Sequence, residues 1–216
     1  MIPFIEPYEP LPDPAQSGGD IVAYGFDLSV DRLLEAYSKG IFPWYDVDSP
    51  VLWWSPDPRM VLFPGKIRIN KSLRNWLRKV KDYKVTRNRA FEEVINHCAH
   101  IPRKGQDGTW LHQEMIDAYT GLHRKGFAVS YEVWNDSGKL VGGLYGVDIR
   151  NGVFSGESMF SIETNASKLA LIHLCRTAGD YGYKIIDAQE HTPYLESMGG
   201  ELIPREVFLK YVRGEL

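Results

Sequence analysis

Residues 127–134 and 140–147 each alternate apolar with polar side chains, and Asn135-Asp136-Ser137-Gly138 stands between them. A two-residue period marks a strand with one buried face, and a short link rich in Asn, Asp and Gly turns one strand back on the next. Residues 153–159 read as a third strand, so an antiparallel meander is expected and the remaining elements have to cover it. Residues 166–181 read as a helix opened by Asn165, 185–189 as a short buried strand, and 206–212 as a closing helix. Meander strands followed by helix, strand and helix make an α+β order.

Upstream the texture changes. Residues 1–63 hold most of the prolines and one clear helix, expected from Ser29 to Gly40, with Asp31 in its first turn and Leu33, Leu34, Ala36 and Tyr37 free to pack. Two aromatic–proline clusters follow, Gly40-Ile41-Phe42-Pro43-Trp44 and Trp53-Trp54-Ser55-Pro56-Asp57-Pro58-Arg59. They are expected to build a rigid, irregular surface rather than a regular core. The expected division is a small N-terminal domain over 1–63 and a larger domain over 64–216. At 216 residues the chain has ample length for both. Past Pro64, residues 67–69 alternate like a strand. Leu73, Trp76, Leu77 and Val80 fall at i, i+3, i+4 and i+7, the stripe of an amphipathic helix. Residues 91–99 and 114–124 read as two more helices.

The net charge of −3 conceals an asymmetry. Residues 66–89 carry ten basic side chains against one acid, Asp82, leaving 15 basic and 27 acidic residues elsewhere. Lys71, Arg74, Arg78, Lys79 and Lys81 project from the helix flanks that the apolar stripe leaves free. A local excess on an acidic chain is the footprint expected for a polyanion partner, with a solvated basic face as the alternative.

Other classes are disfavoured. With 44% apolar and 25% charged residues the composition is that of a globular protein, and no run approaches the ~18 apolar residues of a membrane helix. Residues 1–20 lack a basic segment followed by an apolar one, so no secretory signal is expected. Cys98 and Cys175 read as buried thiols of a cytoplasmic protein. The six His have no HExxH or CxxC companion, so no metal site is expected.

The chemistry concentrates in Gly156-Glu157-Ser158-Met159-Phe160-Ser161 and Asp187-Ala188-Gln189. A carboxylate and large apolar side chains on one element, with a carboxylate and an amide on another, suit a site that holds an apolar group and a cation together. Alternation puts Glu157 and Met159 on one strand face, with Ser158 and Phe160 opposite; Met159 as plain core is the alternative.

Taken in order, the two aromatic–proline blocks, Thr109-Trp110, Ser130-Tyr131-Glu132-Val133-Trp134, Leu140-Val141-Gly142-Gly143-Leu144-Tyr145-Gly146, Gly156 to Phe160, Asn165-Ala166-Ser167-Lys168, Asp187-Ala188-Gln189 and Ser197-Met198-Gly199 resemble the bacterial leucyl/phenylalanyl-tRNA–protein transferases. Val129 departs from the family pattern, which usually has His there, as does Tyr24-Gly25-Phe26, where the family is richer in Gly. The resemblance implies a second domain of the acyl-CoA N-acyltransferase (GNAT) type. It implies transfer of Leu, Phe or Met from aminoacyl-tRNA to the N-terminal amine of a protein beginning with Arg or Lys, which marks that protein for degradation. It implies no cofactor, and a monomer is the default expectation.

The residues can be matched to these needs. An aminoacyl ester is already activated, and no phosphate-cradling GxxxxGK[ST] loop is present. The basic stretch suits a tRNA backbone. Trp53, Trp54 and Trp110 are the candidate platforms for the terminal adenosine. Tyr145, Leu144, Met159, Phe160, Ile172, Leu174 and Cys175 are candidates for an apolar pocket, and Met suits one that takes both Leu and Phe. Asp187 could take or relay the acceptor amine's proton or stabilise the ammonium, Gln189 could hydrogen-bond the amine or the developing oxyanion, and the resemblance favours the two as catalytic pair. Glu157 is then an electrostatic partner for the acceptor, with a base role as the lesser option. Two rivals remain at this point: an acyl-CoA N-acyltransferase, and a non-catalytic tRNA-binding module.

Overall fold

The computed structural model describes residues 1–101 and 111–216. A small sheet, ordered β1-β3-β2, combines β1 (Ile21–Gly25), β2 (Phe42–Pro43) and β3 (Val51–Trp54), with α1 (Val30–Ser38) crossing between β1 and β2. Ser29 caps α1 by accepting from the Arg32 N–H. The larger sheet has seven strands: β4 (Arg59–Leu62), β5 (Lys84–Arg87), β6 (Ala128–Trp134), β7 (Leu140–Asp148), β8 (Val153–Ser161), β9 (Ile185–Gln189) and β10 (Glu201–Ile203). Their order is β10-β4-β9-β8-β7-β6-β5, antiparallel throughout except for the parallel pair β8–β9. This is the expected α+β order, with a small N-terminal sheet ahead of the larger one.

Helices cover both faces of the larger sheet. On one face α3 (Phe91–His100) and α4 (Gln113–Arg124) pack with Tyr145, Val147 and Phe160 and join the core of the small sheet. On the other, α5 (Ala166–Thr177) lies over Val133, Val141, Leu144 and Phe154, together with Leu73 of α2 (Lys71–Lys79). After a short α6 (Pro193–Ser197), α7 (Arg205–Val212) closes the β4–β9 end, packing Phe208 and Leu209 on Val61 and Ile185. Arg205 donates to the carbonyls of Ser17, Gly19 and Ser55, tying α7 to the small sheet.

The meander and its hairpin form as expected: the Asn135 N–H bonds the Lys139 carbonyl and Gly138 takes a left-handed φ of 75°. Several expectations need correction. The aromatic–proline clusters contribute strand residues at Phe42–Pro43, Trp53–Trp54 and Arg59, with 55–58 irregular between them, and Trp53 is fully buried on the inward side of β3. Residues 67–69 are not a strand; the Arg68 N–H is taken by the Met198 carbonyl of a loop instead. Asn165 opens α5 in a left-handed conformation (φ 65°) without capping it, and the Ser161 hydroxyl accepts the Ser167 N–H in its place. The α-helix ends at Thr177, with 178–181 a tighter turn. Finally β4, which precedes residue 63, lies inside the larger sheet between β10 and β9. A run of four buried residues, Arg59 among them, hides this strand from a pattern search.

Candidate active site

A parallel pair that stops early creates the cleft. Strands β8 and β9 are in register only at Val153–Ser155 and Ile185–Asp187. Beyond that point β8 continues along β7 to Ser161, while β9 ends at Gln189, whose φ of 65° turns the chain away. The strands part, and a cavity of about 440 Å³ opens between them, a size ordinary for a small-molecule site. Leu144, Phe154, Met159, Leu171, Leu174 and Ile186 make its apolar wall. Glu157, Gln189, Glu190 and Thr192 supply polar groups, and Phe42, Pro43 and Trp44 reach it from the small sheet.

A β-bulge aims Glu157. Tyr145 pairs with Ser158 and Gly146 with Gly156, so Glu157 is the extra residue. Gly146 is required here, since a Cβ at that position would lie 2.3 Å from the Ser155 carbonyl oxygen. Glu157 consequently leaves the alternation expected of it. It turns to Tyr119 of α4, which donates to its Oε2 at 2.9 Å, and to Gln189, whose Nε2 donates to its Oε1 at 2.9 Å. Met159 packs instead with the cluster beneath α5. Burial pushes the Glu157 carboxyl up to about 7, against the opposing pull of the Tyr37 and Tyr119 hydroxyls and the Gln189 amide and with the Asp187 charge adding to the rise. A carboxylate near 7 beside a cleft is suited to exchange protons with an amine.

Asp187 is engaged elsewhere. It is 1% exposed and forms a bidentate ion pair with the equally buried Arg59, Nε to Oδ1 and Nη2 to Oδ2, both at 2.7 Å. The Gln189 N–H (3.0 Å) and the Ser155 hydroxyl (3.5 Å) also donate to it, so its oxygens receive four hydrogen bonds. These four donors occupy the acceptor sites of the carboxylate. Arg59 lies between the rings of Phe42 and Phe208, 4.8 and 4.5 Å from its guanidinium carbon. Sequence reasoning missed it, because nothing in the block ending at Arg59 distinguishes a buried arginine from a surface one.

The other expected site residues divide. Tyr145, Met159, Leu174 and Leu144 line the cleft. Phe160 does not: it is buried on the opposite face of the sheet, stacked on His97 at 4.7 Å, as alternation from Met159 requires. Ile172 and Cys175 are buried behind the wall, and burial raises the Cys175 thiol to about 12, leaving it unreactive. Trp53 is core and no platform. Trp54 is half-buried, its Nε1–H held by the Trp44 carbonyl at 2.7 Å and its ring 5.4 Å from that of Trp44. Trp110 and Thr109 lie outside the described residues. Among the described residues the tryptophan that borders the cleft is Trp44, 39% exposed and absent from the sequence-based set; its position just after Pro43 was the available signal.

The basic helix is presented as expected. Lys71, Arg74, Arg78, Lys79 and Lys81 are exposed, while Leu73, Trp76 and Leu77 join the cluster that contains Leu171, Leu174 and Met159. The helix and the apolar wall of the cleft therefore share one face of the sheet. Nearby cations are partly committed: Lys66 pairs with Glu201, and Arg87 with Asp148 and the Tyr183 hydroxyl. Among the described residues no helix is long and apolar enough to cross a membrane.

The comparisons with known proteins agree with one another. Residues 61–213 match the model of the family described as leucyl/phenylalanyl-tRNA protein transferase, and residues 26–57 match the model of that family's N-terminal domain. The chain is 51% identical over 211 residues to the leucyl/phenylalanyl-tRNA–protein transferase of Christiangramia forsetii, covering 97% of this chain and 99% of that one. It is 50% identical over 204 residues to the protein of the same name from Nitrosomonas europaea, covering 94% and 85%. Among solved structures, a GCN5-related N-acetyltransferase from Kribbella flavida is similar at 11% identity and a TM-score of 0.40, over 77% of this chain and 57% of that one.

Proposed function

The chain belongs to the leucyl/phenylalanyl-tRNA–protein transferase family and is an aminoacyltransferase, and on that premise we propose that it transfers Leu, Phe or Met from aminoacyl-tRNA to the N-terminal amine of proteins beginning with Arg or Lys, marking them for degradation in the cytoplasm. The observation that carries the reading is the Glu157–Gln189 pair at the mouth of an apolar cleft.

The acceptor's α-amine has a pKa of about 7.7–8, so a carboxylate near 7 can draw off its proton at modest cost. The neutral nitrogen attacks the ester carbonyl carbon, the C–N bond forms, and the C–O bond to the terminal ribose breaks. Glu157 passes the ammonium's proton to solvent water, then takes the second proton from the nitrogen as the C–N bond forms and gives it to the departing ribose oxygen, so one proton is released overall and the carboxylate is free again. Gln189 uses one amide hydrogen to hold Glu157, and its other can donate to the carbonyl oxygen as negative charge builds there. Asp187, first expected to relay the proton, has a supporting role here: with Arg59 it fixes the backbone of Gln189. The donor side chain occupies the wall of Leu144, Met159, Leu171 and Leu174. The attack is direct, since the described residues lining the cleft include no histidine to activate a serine and Cys175 is buried behind them. Lys71, Arg74, Arg78, Lys79 and Lys81 contact the tRNA backbone as a monomer docks on it.

Transfer of labelled Phe from Phe-tRNA to an Arg-starting peptide tests the activity; failure there, with turnover of acetyl-CoA, would select the acyl-CoA rival. A stable aminoacyl-enzyme formed from charged tRNA alone would refute direct attack. Two variants test the donor contacts. Trp44→Ala removes a stacking surface worth about 1–3 kcal/mol per base, so a rise in KM for aminoacyl-tRNA of roughly 5- to 150-fold is expected. Arg74→Glu with Arg78→Glu is expected to weaken tRNA binding and to flatten the slope of log K against log salt by about two, read in a filter-binding titration. An unchanged slope would remove α2 from the interface.

A further inference from the structure

Glu157 is held from outside the catalytic sheet. Its Oε2 receives the Tyr119 hydroxyl at 2.9 Å, and that hydroxyl lies 2.7 Å from the hydroxyl of Tyr37. A phenol has one proton to give. Since Tyr119 gives its own to Glu157, Tyr37 is the donor in the second bond, and the chain runs Tyr37 to Tyr119 to Glu157. Both tyrosines are buried, at 4% and 0% exposure, and burial beside Glu157 raises both phenols well above their ordinary value, so both remain protonated donors. They come from α1 and α4, elements with no strand in the larger sheet. The remaining groups around the carboxylate are Gln189 and Asp187 of β9, with Arg59 of β4 on Asp187, and Tyr145 of β7, whose ring meets that of Tyr119 at 5.5 Å.

We infer that Tyr119, backed by Tyr37, is the positioning element of the reaction: the two hydroxyls lock the bulged Glu157 so that one oxygen is held by the tyrosines and the other is shared with Gln189 at the cleft. In this arrangement the small N-terminal unit completes the active site through Tyr37. The inference rests on the reading of Glu157 as proton acceptor. Chains of hydrogen bonds strengthen one another, so Tyr37 acts on Glu157 through Tyr119. Donation to a carboxylate favours its ionised form, so losing the donor makes Glu157 hold its proton to higher pH.

The test is a carbon-13 NMR titration of the Glu157 carboxyl in the full-length protein, assigned by its loss in Glu157→Gln and needing no substrate. The wild-type midpoint is expected near 7. Tyr119→Phe is expected to raise it by about one unit, and Tyr37→Phe to raise it as well. In transfer assays with saturating tRNA, Tyr119→Phe should lower kcat about fivefold at pH 7 and regain most of it by pH 9, with KM for tRNA unchanged. Should Tyr119→Phe fold poorly, 2,3-difluorotyrosine at position 119 keeps the ring and sharpens the donor, and the midpoint should then fall. A Glu157 midpoint that stays in place in these variants would overturn the inference and leave the proposed function standing. Full transfer by Glu157→Gln would instead remove Glu157 as base, whatever the titration showed.

Discussion

Glu157→Gln is expected to lower kcat for Phe transfer by about 10²–10⁴-fold, the range for losing a general base, while the Kd for aminoacyl-tRNA changes little. The substitution is nearly isosteric and retains an oxygen that can accept from Tyr119, so the loss should come from the missing proton acceptor rather than from a displaced side chain. In the wild type, activity should fall as pH drops through about 7, where Glu157 becomes protonated. The acceptor amine adds its own limb near 7.7–8, and only that limb should survive in the variant. Stability supplies a second readout. The folded Glu157 carboxyl titrates near 7, against 4.5 ordinarily. Below pH 4.5 both folded and unfolded states hold the proton, and between the two values the unfolded chain releases it first. The protein therefore loses stability as pH rises through this window. At pH 8 Glu157→Gln should be more stable than wild type by on the order of 2 kcal/mol, and at pH 4 no more stable, as measured by urea unfolding. Equal stability at both pH values would mean the carboxyl is not desolvated as described.

Arg59→Met is expected to cost about 3–5 kcal/mol, because it strands the Asp187 carboxylate at 1% exposure with its bidentate partner gone. For a chain of this size the loss corresponds to a fall in Tm of very roughly 6–20 °C. Asp187→Leu, which strands the Arg59 guanidinium, should be comparably damaging. Combined in one protein the two substitutions should recover much of the stability, since a buried ion pair gains little over a packed apolar pair of similar volume. Activity in the double variant separates the roles. If Asp187 serves to hold Gln189, transfer should fall by far less than in Glu157→Gln, because Glu157 and its tyrosines are untouched. Loss of activity equal to that of Glu157→Gln, in a folded double variant, would return Asp187 to the chemistry.

Much of the frame was legible before any coordinates. The meander, the hairpin at 135–138, α2 with its stripe and the helix after Ser29 all follow from local pattern, where each side chain's environment is set by its near neighbours in sequence. The small sheet and β4 were not legible. β4 is buried on both faces, and β3 is apolar at all four positions although its burial alternates, so neither shows the apolar–polar period that marks a half-buried strand. The same cause exchanged the tryptophans: Trp53 and Trp54 looked available, and burial of β3 took Trp53 into the core and left Trp44 at the cleft. Of the residues that line the cleft, Glu157, Gln189, Tyr145, Met159 and Leu174 were named from residue type and resemblance, whereas Arg59, Tyr37 and Tyr119 were not marked as site residues.

Residue type and local pattern fix which chemical groups the molecule owns and which local elements carry them: two carboxylates and an amide on adjoining strands, an apolar wall, a basic helix, and a family whose motifs run in order along the chain. How the two carboxylates differ is set by tertiary packing. A one-residue bulge opposite Gly146 turned Glu157 out of its alternation and toward two tyrosines, and an arginine 128 residues away in sequence claimed Asp187. The properties of a carboxylate are set by desolvation and by the partners around it, and those partners arrive through long-range packing that no local pattern encodes.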